Sequence, residues 1–357
     1  MIANDTADVA VVIVSFRNPA DLKGCLAALS DATIEPNFDV FICENGGVPA
    51  FQKLIGELVS LQGPCQPTDE AATLAVPSTS RFIDVRRLRF RRRPSNVWVG
   101  CATDNLGYAG GINAWLHQLQ SMAVWKGVWI LNPDTEPEAS ALAALVERAA
   151  TGRKGMVGST ILDIENQDQA RCRGGLHWQR FTARTVAIGL GEHLNVPHDL
   201  SAIESAMDSP SGASMYVTRS CLEKIGPMDE SYFLFFEDLD WGLRAKSYGL
   251  GYASSSLVMH KRGTTTGSAK SLARMPRLSV YLQHRNGIYF VRKYFPRTLP
   301  IRIATSFLYA VEFLISGAPK NFWSALQGVL AGLRGEVGRP PNYHELTGYS
   351  EPLGTVD

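Results

Sequence analysis

The run Val9-Ala10-Val11-Val12-Ile13-Val14-Ser15 holds seven residues without a charge, most of them β-branched. A strand with one wet face alternates apolar and polar side chains. A continuous apolar run instead suits a strand covered on both faces, as in a parallel sheet. A helical stripe follows, with Leu22, Leu26 and Leu29 on one side and Pro19 at the first turn. Phe38 to Cys43 is a second short apolar run, stopped by Glu44-Asn45-Gly46-Gly47, and residues 49–61 return to helical spacing. Strand, helix, strand, helix predicts a doubly wound α/β sheet.

Further along, the rhythm breaks and then resumes. Residues 62–95 are rich in Pro, Thr and Ala and carry seven arginines between Arg81 and Arg93, which reads as an insertion at the sheet's edge or surface. Val97 to Val99, a helix from about Gly110 to Met122, and the strand Gly127 to Leu131 restore the alternation. Asn132-Pro133-Asp134-Thr135 ends that strand, and Pro137 with Glu138 predicts the start of another helix, acidic in its first turn. Strands are expected at Met156–Leu162, Met215–Thr218 and Gly251–Met259, and a helix at Glu237–Tyr248. From Lys270 to about Gly335 the pattern is helical, and the Pro- and Gly-bearing tail from Arg339 reads as loop.

Composition narrows the function classes. A formal net charge of +1 gives no global field to recruit nucleic acid. Six cysteines without C-x-x-C spacing argue against a zinc site or a disulfide framework and suit a reducing cytosol. The polar, acidic start, Met1 to Asp8, does not resemble a signal peptide. The most apolar stretch, Leu299 to Ala318, is interrupted by Arg302 and Glu312, which argues against a transmembrane span.

In a parallel α/β sheet, ligands bind beyond the carboxyl ends of the strands. Four predicted strand ends carry polar residues there: Ser15/Arg17, Glu44/Asn45, Asp104/Asn105 and Asn132/Asp134. Turns favour such residues in any case, so each alone says little and the set says more. Asn105 to Asn113, with Gly107, Gly110 and Gly111, is a glycine-bearing turn opening a helix, able to bring backbone N–H groups to a phosphate. Asp134 suits Mg²⁺ or Mn²⁺ bridging a diphosphate, and equally suits a helix cap. Glu237-Asp238-Leu239-Asp240, reached through Phe235-Phe236, is the densest constellation. Asp240 can pair with Arg244 four residues on, leaving Asp238 with no local cation, as suits a general base; an acidic first helical turn is the plainer reading. His260 closes a strand and is followed by Lys261 and Arg262, cations that can face phosphate.

Taken in order, these residues resemble the family-two inverting glycosyltransferases of GT-A fold, and more narrowly their rhamnosyltransferase-like branch. The matching stretches are Val-Ile-Val-Ser-Phe at 12–16, Asn-Leu-Gly-Tyr-Ala-Gly-Gly-Ile-Asn at 105–113 and Leu-Asn-Pro-Asp-Thr at 131–135. They continue with Ser-Gly-Ala-Ser-Met at 211–215, Met-Asp-Glu-Ser-Tyr-Phe-Leu-Phe-Phe-Glu-Asp-Leu-Asp at 228–240, His260, Arg285-Asn286 and Val-Arg-Lys-Tyr-Phe-Pro at 291–296. The resemblance implies a Rossmann-like nucleotide-binding half and an acceptor half on one mixed sheet, with a C-terminal helical extension. It implies Asp238 as catalytic base, Asp134 and His260 at a divalent metal (Mg²⁺ or Mn²⁺), and Asn132 in the other place of the Asp-x-Asp motif. Ser15, Arg17, Glu44, Asp104, Asn105, Gly110, Asn132 and Asp134 fall on the donor side. Gly212, Ala213, Ser214, Glu237, Trp241 and Arg244 fall on the acceptor side. Glu44 stands where the family more often has Asp.

The implied division places the donor half at 1–135 with its insertion at 62–95, the acceptor and catalytic half at 136–268, the helical region at 269–338 and a tail at 339–357. The implied partners are a nucleoside-diphosphate sugar, often thymidine-linked rhamnose in this branch, and a glycan or lipid-linked glycan acceptor. Residues 297–334 mix apolar clusters with Arg297, Arg302, Lys320 and Arg334. That suits helices lying on an anionic membrane surface, with help from the Arg81–Arg93 cluster, and a cytoplasmic enzyme peripheral to the membrane. Two rival readings are a nucleotidyltransferase, which should carry an early glycine-rich loop with a lysine, and a silent carbohydrate-binding module, which should lack Asp134 or Asp238.

Overall fold

The structure is a computed structural model that describes residues 7–68, 81–120, 125–261 and 272–348. Its elements begin with β1 (Val9–Ser15), α1 (Pro19–Ser30), β2 (Phe38–Glu44), α2 (Val48–Val59), β3 (Cys65–Pro67), β4 (Phe82–Phe90), β5 (Asn96–Ala102) and α3 (Gly107–Gln120). There follow β6 (Gly127–Leu131), β7 (Thr135–Pro137), α4 (Ala141–Gly152), β8 (Met156–Asp163), β9 (Asn166–Arg173), β10 (Gly175–Gln179), β11 (Arg184–Ala187) and α5 (Leu200–Ala206). The chain continues through β12 (Ser209–Pro210), β13 (Ser214–Thr218), α6 (Arg219–Ile225), α7 (Glu237–Ala245) and β14 (Leu250–His260). It ends with α8 (Arg277–Tyr294), α9 (Leu299–Ile315), α10 (Pro319–Arg334) and α11 (Tyr343–Thr347). Two units result, one from residues 7–178, 185–229 and 237–261, the other from 179–184, 230–236 and 272–348.

The first unit is built on an eleven-stranded mixed sheet ordered β3-β4-β5-β2-β1-β6-β13-β8-β14-β7, with β9 paired to β8. Every residue of β1 is buried. Its period of two sends Val9, Val11 and Ile13 into a layer with Leu22, Leu26 and Phe51. Ala10, Val12 and Val14 enter the opposite layer with Ile112 and Trp115, which is why the strand has no polar face. β5, β2, β1 and β6 run parallel. The chain builds from β1 through β2 to β5 and then returns to add β6 on the other side of β1. The switch point therefore lies between β1 and β6, and their carboxyl ends are where open α/β sheets bind ligands. β13 runs antiparallel between β6 and β8, and β14 runs parallel to β8.

Four expectations need correction. Residues 135–137 are not the first turn of a helix: β7 pairs antiparallel with β14, and α4 begins only at Ala141. The proline and acidic residues that signalled a helix are spent on a short strand and a turn. The tail from Arg339 includes a helical turn, α11, whose Tyr343 and Leu346 are buried against Phe233 and Leu282. The arginines of β4 and its turn are not a loose cationic patch, because most are committed within the sheet's edge. Arg86 pairs with Asp84 and Arg92 with Asp31; Arg91 donates to the carbonyls of Val59, Ser60 and Gly63, and Arg93 to those of Leu29 and Ala32. Finally Arg302 is buried and donates to the carbonyls of Ala183 and Gln283, so it does not face a lipid surface.

In the second unit α8 and α10 approach closely through small residues. A Cβ at Gly328 would lie 2.3 Å from the Tyr281 carbonyl oxygen, and one at Gly332 would lie 2.8 Å from that of Arg285. The segment 230–236 is held to α8 by Asn286, whose amide nitrogen donates to the carbonyls of Tyr232, Leu234 and Phe235 at 2.8, 2.8 and 3.0 Å. Arg285 adds a bond to the Tyr232 carbonyl. Phe233, Phe235 and Phe236 all have positive φ, a conformation that costs an aromatic residue energy and persists only where neighbours over-determine it.

Candidate active site

At the end of β1 and β2, Ser15 and Glu44 are fully buried. Ser15 Oγ lies 2.6 Å from Glu44 Oε2, and Glu44 Oε1 accepts from the backbone N–H groups of Arg17 and Gly46 at 3.1 and 2.8 Å. Both carboxylate oxygens are thus used in shaping the turn. Glu44 thereby braces the loop. Arg17, exposed and at φ 57°, donates Nε–H to the Gly46 carbonyl. Asn45 is buried and bonds both Gly107 O and Leu106 N–H, tying the β2 end to the glycine-bearing turn. Asp104 is exposed and caps Asn105 N–H, and Asn105 in turn accepts from Gly107 N–H. Gly110 is buried in α3.

The β7–β14 pairing sets the next part. Its register places His260 opposite Thr135, and Lys261 N–H donates to Asp134 O, so the Asp134 and His260 side chains converge. His260 Nε2 lies 3.2 Å from Asp134 Oδ1. With helix α4 starting at Ala141, the capping reading of Asp134 lapses. The contact between His260 and Asp134 is that of a hydrogen bond, and the same carboxylate and imidazole are groups that could hold Mg²⁺ or Mn²⁺. Among the described residues no three His, Cys, Asp or Glu side chains converge on one point. An ion here would need further oxygens from Asn132, water and a diphosphate, the usual habit of Mg²⁺. Lys261 is not turned to that point, because its Nζ pairs with Glu136 at 2.7 Å; Arg262 lies outside the described residues. Arg171 Nη1, 3.4 Å from His260 Nδ1, supplies the permanent cation at this corner instead.

The third part is the start of α7. Asp238 is half-buried; its Oδ1 accepts from Leu239 N–H at 2.8 Å, and Gly212 N–H also donates to it. Burial holds its carboxyl above the ordinary range despite those bonds. Glu237 beside it is buried, its Oε2 with no hydrogen-bond partner among the described residues, and burial followed by the Asp238 charge pushes it well up. A Cβ at Gly212 would lie 2.8 Å from Asp238 Oδ2, so glycine is what lets this loop reach the carboxylate. The Tyr108 hydroxyl lies 3.1 Å from Asn132 Oδ1 and 3.1 Å from Gly212 O. After burial, the charges of Glu237, Asp238 and Asp134, in that order, raise its pKa well above the phenolic value. The contacts therefore run from Asp238 through Gly212 and Tyr108 to Asn132, two residues before Asp134 in the chain.

Three residues expected on the acceptor side point elsewhere. Ser214 is fully buried and bonds Trp129 Nε1 and Ser159 Oγ inside the sheet. Trp241 is also buried and donates to the Gly226 carbonyl. Arg244 pairs with Asp240, as its spacing suggests, and donates to the carbonyls of Ile225 and Pro227. It braces α7. Ala213 is buried, and its N–H lies 3.4 Å from Ser211 Oγ, which leaves Gly212 as the residue of this loop that meets the site. Tyr108 and Arg171 were not foreseen. Tyr108 sits in a stretch read for its glycines, and Arg171 on a strand whose polar sequence gives no apolar run to mark it.

A family model described as Glycosyltransferase like family 2 matches residues 7–280. The N-acetylglucosaminyl-diphospho-decaprenol L-rhamnosyltransferase of Mycobacterium tuberculosis is 28% identical over 280 residues, 72% of this chain and 77% of that protein. The low-salt glycan biosynthesis hexosyltransferase Agl10 of Haloferax volcanii is 23% identical over 248 residues, 66% of this chain and 75% of its own. Among solved structures, the mannosyltransferase PcManGT from Pyrobaculum calidifontis, in complex with GDP-Man and Mn²⁺, aligns over 91% of this chain and 87% of that one. Its TM-score is 0.47 at 11% identity. TarS of S. aureus, residues 1–349, aligns over 95% and 83%, with a TM-score of 0.48 at 10% identity.

Proposed function

The chain belongs to the glycosyltransferase-like family 2, and from that premise we propose that it is an inverting, metal-assisted transferase. In this reading it moves rhamnose or another hexose from a nucleoside-diphosphate sugar to a glycan or lipid-linked glycan. The fold is GT-A: a nucleotide-side parallel set of strands, then an antiparallel strand between two others on one mixed sheet. The observation that carries the proposal is the pair of carboxylates, Asp238 and Asp134: contacts lead from Asp238 through Gly212 and Tyr108 to Asn132, two residues before Asp134 in the chain. One is half-buried with no cation paired to it among the described residues, and the other is paired with an imidazole.

A sugar hydroxyl attacks at neutral pH only when a placed base takes its proton. Asp238, raised by burial yet partly accessible, takes that proton as the oxygen attacks the anomeric carbon opposite the leaving group. One displacement inverts the centre, and no enzyme carboxylate becomes glycosylated. His260 and Arg171 meet the charge that develops on the departing diphosphate. A divalent ion bound at Asp134, His260 and Asn132 would supply further charge stabilisation there. Names of relatives support the sugar and acceptor classes: one is a rhamnosyltransferase on a diphospho-decaprenol carrier, another a hexosyltransferase. Incubating the full chain with a panel of nucleotide sugars should release nucleoside diphosphate from one of them faster when a lipid-diphosphate sugar is added. Release from none, with every acceptor tried, would sink the transferase reading in favour of a silent sugar-binding module.

The membrane reading rests on the second unit. The helical segment Pro296–Ile315 is long and apolar enough, by length and composition, to cross a bilayer. Arg302 on it is nevertheless buried and bonded within the unit, fitting into space left by Gly287. The remaining face exposes Phe307, Leu308, Val311, Leu314 and Ile315, and Trp323 is exposed on α10. Such a face suits a helix lying in the interface, bringing the enzyme to a lipid-borne acceptor on the cytoplasmic leaflet. In liposome flotation at low salt the protein is expected to float with anionic vesicles, and Leu308→Asp with Ile315→Asp to abolish this. Flotation unchanged by the pair, or absent in the parent, would remove the membrane role.

A further inference from the structure

Tyr108 has no part in the proton transfer or charge stabilisation derived above, yet its hydroxyl carries a constraint. It lies 3.1 Å from the Gly212 carbonyl oxygen and 3.1 Å from Asn132 Oδ1, two acceptors for one phenol proton. A phenol has one proton to give, and a backbone carbonyl can only accept. If the proton goes to Gly212, the contact with Asn132 is a hydrogen bond only when the amide offers its N–H to the phenol oxygen. An amide oxygen there would instead face another oxygen's lone pairs at the same distance. Giving the proton to Asn132 would leave the Gly212 carbonyl in that position. The arrangement that satisfies both contacts has Asn132 Nδ2 donating to Tyr108 Oη and Tyr108 donating to Gly212 O.

That arrangement exchanges the two ends of the amide, so that the half-buried Asn132 side chain carries its oxygen on the side away from Tyr108. We propose that Tyr108 is a positioning residue that aims the Asn132 amide oxygen, rather than its nitrogen, at the corner beside Asp134, making Asn132 a neutral oxygen ligand for a divalent cation. This rests on the metal reading above. It also accounts for how a site with one carboxylate and one imidazole, and no third acidic, histidine or cysteine side chain among the described residues, would gain another protein oxygen. A hard cation takes amide oxygens readily and is repelled by an amide N–H dipole, so the turn of one side chain decides whether position 132 helps or hinders. Partners that orient a ligand in this way generally matter nearly as much as the ligand.

The test is a cycle on the full-length protein, read as Mn²⁺ affinity by electron paramagnetic resonance with Mn²⁺ alone as probe. The four proteins are the parent, Tyr108→Phe, Asn132→Asp and the double variant. Tyr108→Phe keeps the ring and frees the amide, so Mn²⁺ binding is expected to weaken about tenfold. A carboxylate has an oxygen at either end and needs no orienting. In the Asn132→Asp background the same change should therefore move affinity less than about twofold, the scatter expected of uncoupled sites. Thermal unfolding of all four would show that each is folded. Equal weakening in both backgrounds means the hydroxyl only stiffens the loop, and no weakening in either means it does not orient Asn132; each overturns the proposal. Absence of Mn²⁺ binding in the parent would overturn it by removing the metal reading itself.

Discussion

Asp238→Asn is expected to lower turnover by about 10²–10⁴-fold while donor affinity changes little, because the amide keeps the carboxylate's shape and loses its basicity. The amide oxygen can still accept from Leu239 N–H, which the carboxylate does at 2.8 Å, so α7 should begin as before. Steady-state release of nucleoside diphosphate, with KM for the donor measured alongside, separates the two effects. The parent's pH profile carries the same assignment. Burial raises the folded-state pKa of Asp238, and the base works only when deprotonated. The rate should therefore fall as pH drops through a value above the ordinary carboxylate range, and this limb should vanish in the variant. Near-normal turnover would move the role to Glu237. Asp240 is a poorer substitute, being fully buried and held by Arg244 at 2.9 Å.

The residues that announced themselves in the sequence were those whose type and position serve one purpose. Val9 to Ser15 is apolar on both faces because both faces are covered, and that alone carried the parallel sheet. Asp238 and His260 stand at element ends, where periodicity stops and a polar residue needs a reason. Legibility failed where one residue type serves two ends. Pro137 and Glu138 read as a helix start because proline and acid favour that place; Pro137 instead ends, and Glu138 follows, a short strand whose partner, β14, lies more than a hundred residues away and leaves no local mark. Ser214, Trp241 and Arg244 matched a motif, but a motif does not say which of its members point inward. Ser214 and Trp241 went into the core, and Arg244 went to carbonyls at the end of α6 and just beyond it. Arg171 was invisible for the converse reason: β9 is polar along much of its length, so nothing set one arginine apart until β14 brought His260 beside it.

Asp134→Ala is expected to weaken donor binding and to reduce kcat/KM by about 10²–10³-fold, several kcal/mol of lost charge stabilisation at about 1.4 kcal/mol per tenfold. The sign matters more than the size. A carboxylate standing alone beside a diphosphate repels it, so if no cation intervenes, removing Asp134 should leave donor affinity unchanged or improve it. If Asp134 holds a divalent cation against the diphosphate, removing it should loosen the donor. It should also abolish the response to added Mg²⁺ or Mn²⁺, and rigorous chelation should inactivate the parent to a similar degree. His260→Ala should act in the same direction and more weakly, because Arg171 remains near that corner. Tighter donor binding in Asp134→Ala, together with a parent that works fully after chelation, would assign the leaving group to Arg171 and His260. Asp134 would then be a residue that orients His260 through their 3.2 Å contact.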